Sequence, residues 1–411
     1  MTVFEMLVVL AVAIPVALPV LWILGALTYY FRIERRTRGP LPAWASPPLS
    51  VLVPCHNEEA TIRRAVASLD RLDYPDFEIV AIDDGSRDAT LAVLEELAAE
   101  RPRMRVVHLA ENRGKAAALN AGLRASRHEL VLCIDADSEP DPLAAAWMAR
   151  HLVEDPGVAA VTGNPRVKNR GTLLGRIQVV EFTAIIGMIK RWQQVVGKLF
   201  ALSGVLVLFR RRALLDVGLW DTDTVTEDIA VSWKLQARGW NLRYEPHALC
   251  DVLMPDTLRG LWRQRLRWAQ GGFEVMSRHA GILLRPGHAR LKVLYLEYVL
   301  AVLWTFLSPA LLLAILLAER PDGEPLFYLL SWGLFLTGVI SLLQFLAGAL
   351  IHGRYEKDRG GVGCWSIWYP SVYWALNTLA LMVDVPKALL GKRRRFSTWI
   401  SPDRGAITDG K

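Results

Sequence analysis

The chain predicts an α/β fold: a doubly wound, mostly parallel sheet on the cytosolic side of a membrane, flanked by transmembrane helices. Three observations carry that prediction. Long uncharged stretches stand at both ends of the 411 residues, while the middle carries charges throughout. Within the middle, short apolar runs alternate with amphipathic segments in a β-α-β-α rhythm, which selects a parallel sheet with right-handed crossovers. Apolar runs end in the polar loops Asn57-Glu58, Asp83-Asp84 and Asp135-Ala136-Asp137, and ligands in such sheets bind outside the carboxyl ends of the strands.

Thr2 to Phe31 carries no charge except Glu5, and 294–318, 326–351 and 365–390 are similarly apolar. A membrane helix needs about 20 apolar residues, so each is a candidate span. The first lacks the basic leader and short core of a signal peptide. Arg32, Arg35, Arg36 and Arg38 follow it at once, and such a cationic excess marks the cytosolic side. The expected organisation is a transmembrane helix at 1–31, a basic Pro-rich linker at 32–48, a cytosolic domain with interfacial helices at 49–290, membrane segments at 291–391 and a basic tail at 392–411. Three C-terminal spans would put the tail outside, whereas Lys392, Arg393, Arg394 and Arg395 argue for the inside. Asp384 and Pro386 also make the last segment a poor straight span.

The net charge of +7 suits a protein lying against anionic lipid. No aromatic-interleaved basic motif points to nucleic acid, so none is expected as a partner. Cys55, Cys133, Cys250 and Cys364 are scattered without CxxC spacing, and the eight histidines form no HExxH pattern. They read as reduced, buried thiols, neither a disulfide frame nor a zinc site.

Ser50 to Pro54 is the first strand, with His56 to Glu59 as its loop and helical periodicity from Thr61 to Leu69. Phe77 to Ile82 is a strand, Asp88 to Ala99 a helix and Met104 to Leu109 a strand; Asn112 to Lys115 opens the next helix. Val131 to Ile134 is fully apolar, as a strand buried on both faces should be. Val158 to Thr162 is a further strand, and Leu173 to Val196 a long amphipathic helix with basic groups at Arg176, Lys190, Arg191 and Lys198. That helix suits either the core or the membrane plane. Ser203-Gly204 falls in an apolar strand ending at Phe209, and Thr226-Glu227-Asp228 heads a helix through Ala237.

Each candidate residue has a plain structural reading beside the chemical one. Asp135 and Asp137 form a hard oxygen pair that suits Mg²⁺ or Mn²⁺ with open positions for phosphate oxygens; the plain reading is a solvated turn. Lys115 is placed to meet a diphosphate as a point charge, or is a solvated helix-start lysine. Asp84 either partners a helix start or points into the crevice to accept from a base edge, and the crevice is favoured. Thr226 can cap its helix while Glu227 and Asp228 favour the dipole. Gln264, Arg267 and Trp268 can be residues snorkelling at the lipid boundary.

The order DDGS, DAD, TED, QRLRW, followed by a membrane helix, resembles the processive family 2 glycosyltransferases, which include cellulose, chitin and hyaluronan synthases. TGNPRV, IGMIKR, TEDIAVSWKL, YEPHALC, QRLRWAQGG, RYEK and SPDRG resemble more closely the bacterial poly-β-1,6-N-acetyl-D-glucosamine synthases of biofilm exopolysaccharide. The resemblance covers nearly the whole chain and implies a GT-A-like fold, a multi-pass inner-membrane location, UDP-GlcNAc as donor, a growing polysaccharide and a small membrane partner subunit. It implies that Asp84 and the loop from Pro54 through Asn57 to Glu58 hold the uridine. Lys115 and Asp135 would meet the diphosphate, Asp137 the metal, and Asp228 would be the general base beside Glu227. Gln264, Arg267 and Trp268 would hold pyrophosphate and acceptor sugar, with Ser203 and Gly204 in the acceptor-side loop. Asp83 stands where many relatives have Asn, so its role is open. The competing readings are a chitin- or hyaluronan-like synthase, a non-processive transferase acting on a lipid carrier, which would generally lack the QRLRW element, and a transporter, for which the segments are too few.

Overall fold

The computed structural model describes residues 2–317, 324–355 and 367–390. The basic tail at 392–411, the SPDRG motif, Cys364 and the end of the RYEK motif lie outside the described residues.

Helix α1 (Val3–Arg32) begins in a capping box, with Thr2 accepting from the Glu5 N–H and Glu5 accepting from the Thr2 N–H. The sheet domain then follows as β1 (Leu49–Cys55), α2 (Ile62–Leu69), β2 (Phe77–Asp84), α3 (Thr90–Ala99), β3 (Met104–Leu109), α4 (Lys115–Ala125) and β4 (Leu130–Ile134). These match the elements expected from the sequence. Strands β1, β2 and β4 are buried at every position, as strands covered by helices on both faces must be.

The second half departs from a plain alternation. It runs β5 (Glu139–Pro140), α5 (Ala144–Glu154), β6 (Val158–Val167), α6 (Leu173–Glu181), α7 (Gly187–Val196), β7 (Leu206–Arg210), α8 (Arg211–Asp216), α9 (Glu227–Ala237), β8 (Asn241–Val252) and α10 (Leu258–Arg278). The strand order is β3-β2-β1-β4-β7-β6-β8-β5. Pairing is parallel from β3 to β4, but β7 runs antiparallel to both β4 and β6. The sheet is therefore mixed, and its crevice opens where β1 and β4 meet, since the chain leaves β1 toward β2 and returns to β4 on the other side.

Two expectations are corrected. Ser203 and Gly204 lie in the loop before β7, not within the strand. The segment 173–196 is not one uniform helix: Phe182–Ile186 form a π turn between α6 and α7. Its basic groups are not all on a wet face either. Arg191 is fully buried and pairs with the equally buried Glu34 at 2.7 Å, while Tyr355 donates to Glu34 at 2.6 Å. This pair, with Tyr355, ties the segment just after α1 to α7 and to the chain near the C-terminal end of the described 324–355 stretch.

The remaining helices are α11 (Ala289–Leu317), α12 (Glu324–His352) and α13 (Tyr369–Leu390). Among the described residues, three helical stretches are long and apolar enough to cross a membrane: Val3–Arg36, Ala289–Ala314 and Ser331–His352. The stretch at α13, expected as a membrane segment, is not among them. Close contacts at glycines join the helices to one another: a Cβ on Gly348 would come within 2.7 Å of the Ala184 backbone, and one on Gly25 within 2.5 Å of Trp192.

Candidate active site

At the end of β1 the chain turns through Asn57, whose φ of 56° is a left-handed conformation that Asn tolerates better than most side chains. His56 donates from Nδ1 to the Asp84 carbonyl at 2.9 Å, which leaves Nε2 to accept from Asn112 at 2.9 Å. Asn57 accepts from the Arg87 N–H at 2.9 Å and donates its own N–H to Ser86. Glu58 is buried, and its carboxylate accepts from Thr61 at 2.8 Å. It supports the loop from beneath. Pro54 is a buried strand residue.

Asp84 takes the helix-start role that the sequence reading set aside. Its two oxygens accept from the Arg113 and Gly114 N–H groups at 2.9 and 2.8 Å. Those donors are free of helix partners just before α4, so a carboxylate is drawn to them. Burial raises the Asp84 carboxyl, and the two N–H bonds oppose that. Asp83 is fully buried and lies 2.9 Å from His108 on β3, which places it in the sheet and not in the crevice.

The first helical residue of α4 is Lys115, and it gathers the centre of the crevice. Its ammonium lies 2.5 Å from Asp135, 3.2 Å from Glu227, and donates to the Gly204 carbonyl at 3.2 Å. Asp228, from the same turn as Glu227, accepts from the Gly204 N–H at 3.2 Å and from the Ile229 N–H at 2.9 Å. Gly204 thus sits between the cation and the carboxylate. A Cβ there would come 3.0 Å from the Lys115 ammonium and 3.5 Å from Asp228 and Glu227. Ser203 joins this loop to the sheet by donating its N–H to Thr162.

Burial pushes the Asp228 carboxyl up to about 6; the Glu227 charge adds to the rise, while Lys115 and Arg267 oppose it. Thr226 stands at the N-cap of α9 but makes no side-chain cap bond, contrary to the plain reading. It packs instead against α10, where a Cβ on Gly271 would lie 2.1 Å from the Thr226 hydroxyl. That close approach brings α10 over the site. Arg267 is exposed and reaches toward the Val225 carbonyl at 3.5 Å, Trp268 is half-buried, and the buried Gln264 Oε1 has no hydrogen-bond partner among the described residues.

Asp137 is raised to about 7 by burial first and by the neighbouring Asp135 second; it accepts from Ser138 at 3.1 Å. Asp135 is committed to Lys115. Two neighbouring carboxylates are hard oxygen donors of the kind Mg²⁺ or Mn²⁺ takes when substrate phosphates supply the rest; among the described residues no group of three or more His, Cys, Asp or Glu side chains is placed to hold an ion by itself.

Sequence reasoning missed two residues here. Lys190 on α7 is buried, and its ammonium lacks a hydrogen-bond partner among the described residues; burial lowers it to about 8 against the pull of Asp228. Arg265 on α10 is fully buried and pairs with Glu181 at 2.6 Å. Neither had a spacing signal that separates a buried cation from a solvated one.

The mixed sheet, with Asp135, Lys115 and the helix-borne Asp228 gathered at Gly204 beyond its strand ends, has the GT-A-like layout of the glycosyltransferases that act on nucleotide sugars. Residues 47–271 match the family described as glycosyltransferase like family 2, and the chain belongs to that family. It is 38% identical over 401 residues to a poly-β-1,6-N-acetyl-D-glucosamine synthase of Staphylococcus epidermidis, covering 96% of this chain and 97% of the relative. It is 39% identical over 399 residues to the synthase of the same name from Staphylococcus aureus strain COL, covering 95% and 97%. A mannosyltransferase from Pyrobaculum calidifontis, solved with GDP-Man and Mn²⁺, shares the fold with a TM-score of 0.60 at 23% identity, covering 86% of this chain and 100% of that one.

Proposed function

We propose that this chain polymerises N-acetylglucosamine from UDP-GlcNAc into poly-β-1,6-N-acetyl-D-glucosamine at the bacterial inner membrane. The observation that carries the reading is the junction at Gly204, where Asp228 is held opposite Lys115 and Asp135; the names of the relatives carry the choice of sugar and linkage.

In this reading the uridine lies against the Asn57 loop and the region of Asp84. Lys115, kept in place by Asp135 and Glu227, meets the diphosphate. The acceptor hydroxyl lies against Asp228. Its proton passes to the Asp228 carboxylate as its oxygen attacks the anomeric carbon and the bond to UDP breaks. One displacement on the face opposite the leaving group turns an α-linked donor into a β-linked product. Base assistance of this kind contributes about 10²–10⁴-fold. Arg267 and Lys115 offset the charge gathering on the leaving diphosphate. Mg²⁺ or Mn²⁺ held by Asp137, beside Asp135, would supply Lewis-acid neutralisation of the same charge. Trp268, with Gln264, meets the acceptor sugar.

The membrane helices complete the proposal. With the domain in the cytosol and three crossings, by the three stretches noted above, the C-terminus returns to the cytosolic side, in accord with the basic tail. A cavity of about 260 Å³ lies among α1, α7, α11 and α13, lined by Trp22, Phe200, Tyr298, Trp374, Gln193 and Asn377 among others. Aromatic faces mixed with amides suit pyranose rings, and the Phe200 carbonyl accepts from Trp233 on the helix that carries Asp228. We read this cavity as the start of an exit path for the polymer. A small membrane partner subunit belongs to the same reading.

The test is a donor screen on membranes containing the chain, with and without the partner, followed by linkage analysis of the product. UDP-GlcNAc should be consumed to give a β-1,6-linked homopolymer. A β-1,4-linked product would move the protein to the chitin-like branch.

A further inference from the structure

Arg265 stands in the middle of the QRLRW run, between residues assigned above to substrate, and has been given no part. Its guanidinium lies 4.4 Å from the centroid of the Trp268 ring and 6.0 Å from that of Tyr373. Three residues apart on α10, Arg265 and Trp268 share one face of the helix, and the shorter distance is well inside the range of a cation–π contact. The guanidinium is aligned in turn by Glu181 at 2.6 Å, and Glu181 accepts from Tyr369 of α13 at 2.8 Å. Glu181 is the last residue before the π turn of Phe182–Ile186, and π turns of this kind cluster at functional sites.

A pure brace would be built differently. Both members of the pair are fully buried. Among the described residues, Arg265 Nε and Nη1, Glu181 Oε1 and Gln264 Oε1 are buried without a hydrogen-bond partner. Unmet polar groups of this kind destabilise a fold, and a buried ion pair is often replaced by apolar residues with no loss of stability. An arrangement that keeps them is held for its geometry.

We propose that Arg265 is a positioning residue: clamped by Glu181 and Tyr369, it stacks on one face of Trp268 and so aims the opposite face at the acceptor sugar. This rests on the reading that Trp268 meets the acceptor. The guanidinium plane matters as well as the charge, because a planar cation can lie flat on the indole while an ammonium cannot.

The experiment compares four full-length variants in membranes with the wild type: Arg265→Met, Arg265→Lys, Glu181→Gln, and Glu181→Gln combined with Arg265→Met. Melting temperature, UDP affinity, polymer yield and the apparent KM for short β-1,6-linked N-acetylglucosamine oligosaccharides are measured on each. Arg265→Met should lose both melting temperature and polymer. The double variant, with no unpaired buried charge, should regain melting temperature but not polymer. Arg265→Lys should fold and bind UDP normally. In the folded variants a misplaced acceptor should cost about 10²-fold in polymer rate, seen as a raised acceptor KM with unchanged UDP affinity. If the double variant recovers yield together with stability, or if Arg265→Lys polymerises normally, the pair is only a brace and the inference is overturned. Should the wild type accept a different sugar, the proposed function fails by itself. The inference is then judged on the same ratios with that sugar and its oligosaccharides.

Discussion

Replacing Asp228 by Asn separates the base from the helix-start carboxylate, because the volume is unchanged and only the chemistry differs. Asp228 accepts two backbone N–H groups, from Gly204 and Ile229. An Asn amide has one oxygen, so one donor loses its acceptor, at a cost of about 1–3 kcal/mol at most. Loss of the base should remove about 10²–10⁴-fold of rate, or about 2.7–5.4 kcal/mol of barrier stabilisation. The two effects are read on one preparation: UDP affinity and melting temperature on one side, polymer yield on the other. Affinity should stay close to wild type, since the proposed function sets the diphosphate against Lys115 and Asp135, while yield nearly vanishes. The pH profile adds a second readout. With its carboxyl at about 6, Asp228 is increasingly protonated below that pH, and wild-type turnover should fall about tenfold per unit there. Because the folded value lies above the ordinary 3.8, the folded protein binds this proton more tightly than the unfolded chain. Asp228's contribution to stability is therefore whole below pH 3.8 and lost as pH rises through about 6, opposite in direction to activity. Asn should remove both dependences. Polymer synthesis by Asp228→Asn at close to the normal rate, or an acid limb that survives the substitution, would refute the assignment of Asp228 as base.

Three further outcomes are expected. Turnover should stop with excess chelator and return with Mg²⁺ or Mn²⁺, and Asp137→Asn should abolish the return; since Asp137 rests at about 7 without a cation, Mn²⁺ affinity measured by titration should weaken as pH falls below that value. Gly271→Ala would set a Cβ 2.1 Å from the Thr226 hydroxyl, so overpacking of about 1–3 kcal/mol should lower the melting temperature and, by pushing α10 off the TED turn, reduce polymer yield. Arg191→Met leaves Glu34 buried without its cationic partner, with only the Tyr355 hydroxyl on it among the described residues, and should cost about 3–5 kcal/mol, measured by thermal unfolding in detergent, with UDP affinity in the surviving folded fraction unchanged.

Much of this protein can be read locally. Strands β1 to β4 and helices α2 to α4 announce themselves by apolar runs and periodicity, because strands covered on both faces admit little but Val, Ile, Leu and Ala. The acidic strand ends and the TED and QRLRW runs are equally visible, since each is contiguous in the chain. Residues whose roles depend on distant partners were not visible. Gly204 looks like a strand glycine until Lys115, 89 residues earlier, and Asp228, 24 residues later, close on its two backbone groups. The sequence favoured the crevice for Asp84 and the structure puts it at the helix start, because the choice depends on how closely the chain at Arg113 and Gly114 returns. Arg191 and Arg265 read as surface cations in any local window. Only the packing of α1 against α7 and of α10 against α6 and α13 brings Glu34 and Glu181 to them, and burial without those carboxylates would be prohibitive. The motifs could therefore be read in sequence, while the alignment of Asp228, Lys115 and the buried ion pairs was decided only when the chain closed on itself.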